Sequence, residues 1–351
     1  MTVKELLTIT EKRGASDLHL VVNYPPMVRI DGDLVVVPNY NNLNKEDISG
    51  LIASVITQVQ LKLFQANKEL DLSISSDNAF YRVNLYYQRG TPSAAFRLIP
   101  QQIRSIEELG LPKLLHTFTK LRQGLVLITG PTGHGKTTTQ AALINEVNNE
   151  RAQHIITIED PIEYVFPRGK SIVSQRELHT DTTAWHLALR AALREDPDVV
   201  LVGEMRDIET VRSTITLAET GHLVFATLHT NTAAQSIERV IDVFPSGQQD
   251  QIRIQLADIL EGVVSQRLVL ATQGGRVPAT EILLSTAAVR TAIREGKTHQ
   301  IDNIIQTSAE IGMHLLEHSL ADHVNSGIIE LEVAKEWAYR PEELIRQLKN
   351  K

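Results

Sequence analysis

The sequence predicts an α/β protein built from two parts. In the first hundred residues, short strand and helix patterns follow one another in the order typical of an α+β domain with an antiparallel sheet. From Leu114 onward, apolar runs alternate with helical segments, which indicates a mostly parallel sheet covered by helices on both faces. A chain of 351 residues with 42% hydrophobic side chains is long enough to bury two separate cores.

The first part is predicted to span residues 1–100. Apolar residues at helical spacing predict a helix from Val3 that ends at Gly14. Asn44 with Asp47 opens a helix that buries Ile48 to Val55, and a further helical run follows to about Lys68. The predicted strands cover 17–22, a hairpin over 27–37 turning at Asp31-Gly32, 70–75, 79–88 and 93–99. A polar, proline-bounded segment at 101–112 is the predicted linker.

The second part is predicted to span residues 113–351. Its apolar strands are expected at 125–129, 155–158, 199–202 and 223–228, each separated from the next by a helical segment. After Gln248 the pattern is mainly helical, with a hairpin of two strands, 267–271 and 276–284, across Gly274-Gly275. The last helices are expected near 286–295, 313–326 and 341–350.

Composition excludes several classes of protein. The net charge of −7, with acidic and basic residues interleaved, argues against a nucleic-acid binder. A chain without cysteine forms no disulfide and no cysteine-ligated zinc site, as is typical of a reducing compartment. The amino terminus lacks the apolar core of a signal peptide, and no run of ~18 apolar residues could span a membrane. We therefore expect a cytoplasmic protein without a direct membrane span.

A phosphate-binding loop is predicted directly after the strand at 125–129. The pattern G-x-x-x-x-G-K-T lies between this strand and a helix, the context that a P-loop requires. Its backbone N–H groups would surround the phosphates of ATP, Lys136 would reach the β- and γ-phosphates, and the Thr137 hydroxyl would ligate Mg²⁺. The expected nucleotide contacts are Gly130, Pro131, Thr132, Gly133, His134, Gly135, Lys136, Thr137 and Thr138.

Acidic residues follow two of the predicted parallel strands. Glu204 comes after the strand at 199–202, where a carboxylate can orient or deprotonate the attacking water. Gly203 stands where many NTPases carry a metal-binding Asp, so another acid is expected to assist Mg²⁺. Glu159 and Asp160 end the strand before Pro161 and are the candidate metal ligands, with Glu163 one turn later. A solvated acidic turn is the alternative interpretation of these three residues.

Histidines and arginines are the remaining candidates. His222 and His229 bracket the strand at 223–228, where they could sense or polarise phosphate; a spacing of seven places them on opposite faces of an unbroken strand. Arg82 alternates with buried positions of its strand, and Arg97 lies in the next strand. Both could act as arginine fingers on the transferred phosphoryl group, and purely structural roles are the alternative.

Together these segments resemble the secretion-type AAA-related ATPases, and within them the type IV pilus retraction motors, over nearly the whole chain. GASDLHL at 14–20 is similar to the opening signature of that family, and GPTGHGKTTT at 130–139 to its Walker A motif. TIEDPIEYVF at 157–166 is similar to its Asp box, VVLVGEMRD at 199–207 to its Walker B motif, and TGHLVFATLHTN at 220–231 to its His box.

The resemblance implies a PAS-like N-terminal domain followed by a RecA-like P-loop ATPase domain with a helical C-terminal region. It implies a homohexameric motor that binds ATP near the domain interface and drives pilus retraction and twitching motility. The motor would act on an inner-membrane platform protein and so associate peripherally with that membrane. In this family the matching residues are the catalytic glutamate Glu204, the Asp-box acid Glu163, the phosphate-reaching arginines Arg82 and Arg97, and the His-box pair His222 and His229.

The chain also departs from the family in two places. His134 stands where the family's P-loop commonly carries serine, and only its backbone N–H is expected to face phosphate. The segment AAVRTAIREGK at 287–297 matches the C-terminal motif of the retraction motors at Ala288, Arg290, Ile293, Arg294 and Glu295 and differs at Val289, Thr291 and Ala292.

Other functions stay open at this point. A pilus-assembly or accessory retraction ATPase belongs to the same motor class, but assembly motors and type II secretion ATPases usually carry a tetracysteine zinc module that this chain lacks. The acidic balance disfavours a DNA translocase. A small-molecule P-loop kinase is disfavoured by the leading domain of about 100 residues.

Overall fold

The computed structural model describes residues 1–76, 79–99 and 102–349. It divides into two compact units. The amino-terminal unit comprises Met1–Gln102, Glu159–Pro167 and Gln175–Trp185, and the P-loop unit comprises Ile103–Ile158, Arg168–Ser174 and His186–Lys351. Pro100 and Gln101, where the first domain was predicted to end and the linker to begin, lie outside the described residues, as does Asn350 at the end of the last predicted helix. The domain boundaries stay predictions.

The amino-terminal unit contains a six-stranded antiparallel sheet in the order β3-β2-β1-β6-β5-β4. Three helices accompany it, and each begins with a capping box formed by Thr2, Asn44 or Thr57. The elements are α1 Val3–Lys12, β1 Asp17–Leu20, β2 Met27–Ile30, β3 Asp33–Val36, α2 Lys45–Ala53, α3 Gln58–Asn67, β4 Glu69–Ser75, β5 Phe80–Gln88 and β6 Thr91–Ile99. This is the predicted α+β arrangement.

One face of this sheet is the core of the unit. Tyr81, Val83 and Phe96 are fully buried there together with apolar residues of the helices. Arg82 and Arg97 alternate with these core residues along β5 and β6. Successive side chains of a strand point to opposite faces, so both arginines lie on the face away from the core.

The P-loop unit is organised by a seven-stranded sheet in the order β13-β12-β7-β11-β10-β8-β9. The strands are β7 Gly124–Thr129, β8 His154–Glu159, β9 Ile172–Glu177, β10 Val199–Val202, β11 Leu223–Leu228, β12 Leu260–Leu270 and β13 Arg276–Leu284. From β12 to β8 adjacent strands run parallel, and β13 is antiparallel to β12. All residues of β7, β10 and β11 are buried, as strands covered on both faces must be.

The P-loop unit also contains α-helices. They are α4 His116–Thr119, α5 Lys136–Glu150, α6 Trp185–Ala192, α7 Ile208–Glu219, α8 Ala233–Asp242, α9 Ser246–Ile259, α10 Ala287–Arg294, α11 Ile301–Thr307, α12 Leu316–Asn325, α13 Leu331–Trp337 and α14 Pro341–Lys349. The predicted helical carboxyl-terminal region is present. Within the described ranges, no helix combines the length and the apolar composition needed to cross a bilayer.

Two strand predictions were incomplete. The prediction missed β9, whose sequence IVSQRE is polar because this strand lies at the edge of the sheet. The prediction also started β12 at Arg267, seven residues late. Helix α9 passes into β12 without a turn residue, and the polar residues Glu261, Ser265 and Gln266 interrupt the apolar pattern that marks a buried strand.

Candidate functional site

The P-loop lies between β7 and α5 and is pressed against β12. A Cβ atom on Gly130 would lie 2.4 Å from the backbone oxygen of Gln266, and one on Gly135 would lie 2.8 Å from Nε2 of the same residue. Gly133 has a φ of +79°, which favours glycine, and faces open space. Gly130 and Gly135 therefore permit close packing on β12, whereas Gly133 permits the turn of the loop.

The side chain of Lys136 binds the backbone of the P-loop. The lysine is 8% exposed, and its Nζ donates hydrogen bonds of 2.9 Å to the backbone oxygens of both Gly130 and Pro131. Helix α5 begins at this residue without a side-chain cap. The helix thus directs its positive end and a buried cation at the loop, a combination that suits a polyphosphate.

Gln266 connects the loop to the sheet, and no sequence pattern indicated this residue. Its side chain is buried; Nε2 donates to the backbone oxygen of His134 at 3.0 Å, and Oε1 accepts from the hydroxyl of Thr139 at 2.7 Å. One amide thus holds both the loop and the first turn of α5. The residue was missed because the predicted strand began one position later.

A line of polar side chains runs across the sheet edge beside the loop. Nε2 of His229 lies 3.3 Å from Oε2 of Glu204, and its Nδ1 lies 3.4 Å from the hydroxyl of Thr132. A carboxylate only accepts, so Nε2–H donates to Glu204, and Nδ1 of a neutral ring accepts from Thr132. On its other oxygen Glu204 pairs with Nε of Arg206 at 2.6 Å. The acid predicted to activate water is therefore connected to the P-loop through one histidine.

Sheet topology explains this line. Strand β11 pairs with β7 on one side and with β10 on the other, and all three run parallel. The P-loop, His229 and Glu204 follow the carboxyl ends of these three strands, so they meet at one edge. The backbone oxygen of Gly203 also accepts a hydrogen bond from the hydroxyl of Thr227, which fixes the end of β10 next to β11.

The structure does not bring His222 to this group. His222 precedes β11, and the chain to His229 runs the length of the strand, roughly 20 Å at the usual rise per residue. Its Nδ1 lies 2.9 Å from the backbone oxygen of Leu217 and 3.1 Å from the hydroxyl of Thr220. Within one chain, His222 therefore stabilises the end of α7 at the opposite edge of the sheet. Its catalytic role stays a prediction.

In the amino-terminal unit, a row of mainly charged side chains crosses the face of the sheet that lies away from the core. In the strand register Arg29 lies opposite Asp17, Asp17 opposite Arg97, Arg97 opposite Arg82, and Arg82 opposite Ser73. Directly opposed residues of antiparallel strands share a face. Nε of Arg97 lies 2.8 Å from Oδ1 of Asp17 and, with Ser16, lowers the pKa of this carboxyl group against the opposing effect of burial.

The two predicted arginines are therefore neighbours, and one of them contacts the Asp box. Nη1 of Arg82 lies 2.9 Å from Oε1 of Glu163. Glu159, a predicted metal ligand, is 7% exposed and accepts from Nε2 of Gln175 at 3.3 Å, whereas Asp160 is exposed. These three acids belong to the amino-terminal unit, so the structure groups them with Arg82 and Arg97.

Comparison with known proteins identifies the family. Residues 3–274 match the family described as Type II/IV secretion system protein. The chain belongs to this family. Among the relatives, the type IV pilus retraction ATPase PilT of Pseudomonas aeruginosa is 46% identical over 97% of this chain and 99% of its own length. The twitching motility protein of Neisseria gonorrhoeae is 44% identical over 91% of this chain and 86% of its own length.

The fold of this secretion ATPase matches a solved structure of the same kind. The crystal structure of the pilus retraction motor PilT with bound ADP superposes with a TM-score of 0.89 and 45% identity, over 99% of both chains. The predicted fold class, an amino-terminal domain with a RecA-like P-loop ATPase domain, is thereby confirmed. As a member of this family the chain binds nucleotide and is an ATP-hydrolysing enzyme.

The residues around the loop fit a nucleotide-bound magnesium ion. Among residues 1–76, 79–99 and 102–349, no group of three or more His, Asp or Glu side chains is arranged to hold a metal by itself. This is compatible with Mg²⁺, which usually takes one or two protein ligands and completes its shell with phosphate oxygens and water. Thr137 lies in the first turn of α5, directly after Lys136, where its hydroxyl could be such a ligand.

Glu177 is a second residue of this secretion ATPase that sequence reasoning missed. Its carboxylate is buried and accepts hydrogen bonds from the backbone N–H of Ser73 at 2.9 Å, the backbone N–H of Ile162 at 3.1 Å and the hydroxyl of Thr180 at 2.9 Å. Ser73 lies opposite Arg82, and Ile162 precedes Glu163. One buried acid therefore positions the neighbours of both members of the Arg82–Glu163 pair.

Proposed function

We propose that this secretion ATPase is the motor of type IV pilus retraction and, through it, of twitching motility. It works as a homohexamer that takes ATP with Mg²⁺ and acts on an inner-membrane platform protein from the cytoplasmic side. The relatives with the names retraction ATPase and twitching motility protein support the biological role, since each aligns with more than nine-tenths of the chain.

The observation that carries the enzymatic part is the contact of His229 with both Glu204 and Thr132. This contact holds a carboxylate beside the P-loop, and that position supports a role as the general base. Glu204 orients and deprotonates the attacking water, and His229 holds the carboxylate at its working position. Arg206 neutralises the same carboxylate at 2.6 Å and has to release it before a proton can be accepted.

Other residues of the chain neutralise the negative charge of the phosphates. Lys136 exchanges its contacts with Gly130 and Pro131 for phosphate oxygens when nucleotide enters. Thr137, Glu159 and Asp160 would hold a nucleotide-bound Mg²⁺, which would supply further neutralisation of the phosphate charge. Arg82 and Arg97 stabilise the charge that develops during phosphoryl transfer, and Glu163 releases Arg82 for this task.

Hydrolysis can drive movement because Lys136, Arg82 and Arg97 bind ATP before turnover and a nucleotide without the γ-phosphate after it. ATP favours the arrangement in which Lys136 and the two arginines contact phosphate, and loss of the γ-phosphate removes much of that attraction. In a closed ring of six identical chains, successive turnover events produce a repeated stroke on the platform protein. The pilus is disassembled at its base by these strokes.

Pilus dynamics in a deletion strain test the role. Fluorescently labelled pili are followed by microscopy in the deletion strain and after complementation with the wild type, with Glu204→Gln or with the matched control Glu209→Gln. We expect pili that extend but do not retract without the gene or with Glu204→Gln, and normal retraction with the control. Absence of pili in the deletion strain would indicate an assembly motor, and unchanged retraction would indicate an accessory one.

The ring is tested separately by light scattering of the purified protein with ADP and Mg²⁺. The proposal requires a particle of about six times the 39.1 kDa mass of one chain. A particle no larger than a dimer at every protein concentration would contradict the hexamer.

A further inference from the structure

The side chain of His134 is turned away from the centre of the P-loop and contacts two other elements. Its Nδ1 accepts a hydrogen bond of 3.0 Å from the backbone N–H of Leu268 in β12. Its ring meets the edge of Trp337, the last residue of α13, with the ring centroids 5.2 Å apart and the planes at 64°. A single loop residue thus contacts both the sheet and the carboxyl-terminal helices.

The backbone around His134 is held from the same side. Its carbonyl oxygen accepts from Nε2 of Gln266 at 3.0 Å, and the carbonyl oxygen of Gly133 accepts from Nη1 of Arg276 in β13 at 3.3 Å. These bonds fix the middle of the loop, where N–H groups have to converge on phosphate. Among the hydrogen bonds named here, only the one to His134 Nδ1 has a titratable side chain as its acceptor.

That contact requires a neutral imidazole. Nδ1 can accept from Leu268 only while its lone pair is free, which places the ring proton on Nε2. Burial lowers the pKa of His134, and three cations lower it further: Arg267 from β12, Arg276 from β13 and Lys136 from α5. Helix α13 contributes an uncharged partner, Trp337. Protonation of the ring would therefore place a charge among cations and replace an acceptor with a donor facing the N–H of Leu268.

We propose that His134 is a positioning residue of the P-loop, and that its neutral side chain sets nucleotide affinity by fastening the loop to β12 and to Trp337. The inference rests on the proposed nucleotide site and adds a residue whose backbone alone was expected to matter. It also makes α13, outside the recognised nucleotide motifs, a determinant of affinity. Acidification releases the ring and weakens nucleotide binding.

Two substitutions separate the role of Nδ1 as hydrogen-bond acceptor from the effect of protonating the His134 ring. In His134→Asn, the amide oxygen can replace Nδ1 as the acceptor without titrating, whereas His134→Ala removes both the acceptor and the ring. His299→Asn is the matched control, since His299 is an exposed histidine outside this group. The dissociation constant of Mg-ADP is measured by calorimetry at about pH 8 and at about pH 5; the lower value is well below the ordinary histidine pKa because burial and the neighbouring cations lower the pKa of His134.

At the higher pH we expect His134→Ala to bind ADP about fivefold more weakly, the equivalent of one lost hydrogen bond. His134→Asn keeps the acceptor but loses the ring contact with Trp337, so it is expected to bind ADP more tightly than His134→Ala and up to about threefold more weakly than the wild type. Acidification is expected to weaken ADP binding by the wild type and by His299→Asn. The loss should be several-fold larger than in His134→Asn. Protonation of the nucleotide itself affects all three proteins equally, so the comparison with His134→Asn corrects for it.

Equal pH dependence of the wild type and His134→Asn would overturn the inference, as would tighter binding by the wild type at low pH. Unchanged affinity of His134→Ala would do the same. Should His134→Ala fail to fold, the comparison of the wild type with His134→Asn decides alone. A wild type that binds no nucleotide at either pH would overturn the proposed site itself and this inference with it.

Discussion

Arg82 and Glu163 form an ion pair of 2.9 Å although 81 residues separate them in the sequence. Arg82 also lies directly opposite Arg97, and two like charges at this position repel each other. Each arginine also contacts a carboxylate, Glu163 for Arg82 and Asp17 for Arg97. The pair of cations is thus balanced by acids that a phosphate could replace.

Removal of either arginine should slow turnover without abolishing nucleotide binding. We expect Arg82→Ala and Arg97→Ala each to lower kcat by about a hundredfold or more, since each supplies charge that is needed mainly in the transition state. The affinity for ADP should change less than about threefold. Steady-state ATPase assays and calorimetry measure both quantities.

Arg29 provides the matched control, because it belongs to the same row of charges but is not among the proposed catalytic residues. Arg29→Ala should keep kcat within about twofold of the wild-type value. If all three substitutions reduced kcat equally, the row would matter as a whole for the sheet, and the special role of Arg82 and Arg97 would be lost.

Glu177→Gln tests whether one buried acid positions the Arg82–Glu163 pair. The amide group cannot accept at both positions where the carboxylate accepts from Ser73 and Ile162, so one backbone N–H loses its partner. We expect a loss of about 1–3 kcal/mol in unfolding free energy and a fall of about tenfold in kcat, with ADP affinity little changed. Urea unfolding and ATPase assays measure these effects. Glu69→Gln, an exposed change in β4, is the control, and an unaltered kcat in Glu177→Gln would remove its positioning role.

The two loop glycines should respond differently to an added methyl group. In Gly133→Ala the added Cβ has no atom within 4 Å, so the positive φ is the only source of strain. A loss of about 1–2 kcal/mol in unfolding free energy is expected. Gly130→Ala would bring Cβ to 2.4 Å from the Gln266 oxygen and should lose about 3 kcal/mol or more. Urea unfolding without nucleotide compares them. Equal losses would show that the loop is not packed on β12 as described.

Stability should depend on pH through Glu281, which lies outside the nucleotide site. Burial raises the pKa of Glu281 to about 7, while the Ala233 N–H and Arg340 act in the opposite direction. A raised pKa means that the folded state favours the protonated acid, so its contribution is fully present below the ordinary pKa of 4.5 and is lost as pH rises through about 7.

The substitution Glu281→Gln should remove this dependence. Between about pH 5 and about pH 8 the unfolding free energy of the wild type should fall by about 2–3 kcal/mol relative to the variant. The exposed change Glu310→Gln should follow the wild type. Chemical unfolding across this pH range measures the difference, and parallel curves for wild type and Glu281→Gln would contradict the prediction.

The sequence was sufficient to predict which residues meet at the ends of the parallel strands. The P-loop, Glu204 and His229 each follow an apolar run, and parallel strands bring such positions to one edge whatever the details of packing. His222 shows the limit of this reasoning. It belongs to the same short motif as His229, but six intervening strand residues carry it to the opposite edge.

Contacts between residues far apart in the sequence could not be predicted. The register that sets Arg82 opposite Arg97, the contact of Arg82 with Glu163 and the buried position of Glu177 depend on how distant segments pack. Gln266 was hidden because a polar side chain inside β12 weakens the apolar pattern of that strand. A buried polar residue of this kind becomes recognisable only when its partners are known.

The most direct test of the proposed mechanism is the ATPase activity of Glu204→Gln, measured beside its affinity for ADP and the activity of the exposed control Glu209→Gln. If Glu204 activates the attacking water, the variant should bind ADP within about threefold of the wild type and hydrolyse ATP at least about a hundredfold more slowly, while the control stays unchanged. Hydrolysis by Glu204→Gln at the wild-type rate would contradict the assignment of Glu204 and of the histidine that connects it to the P-loop.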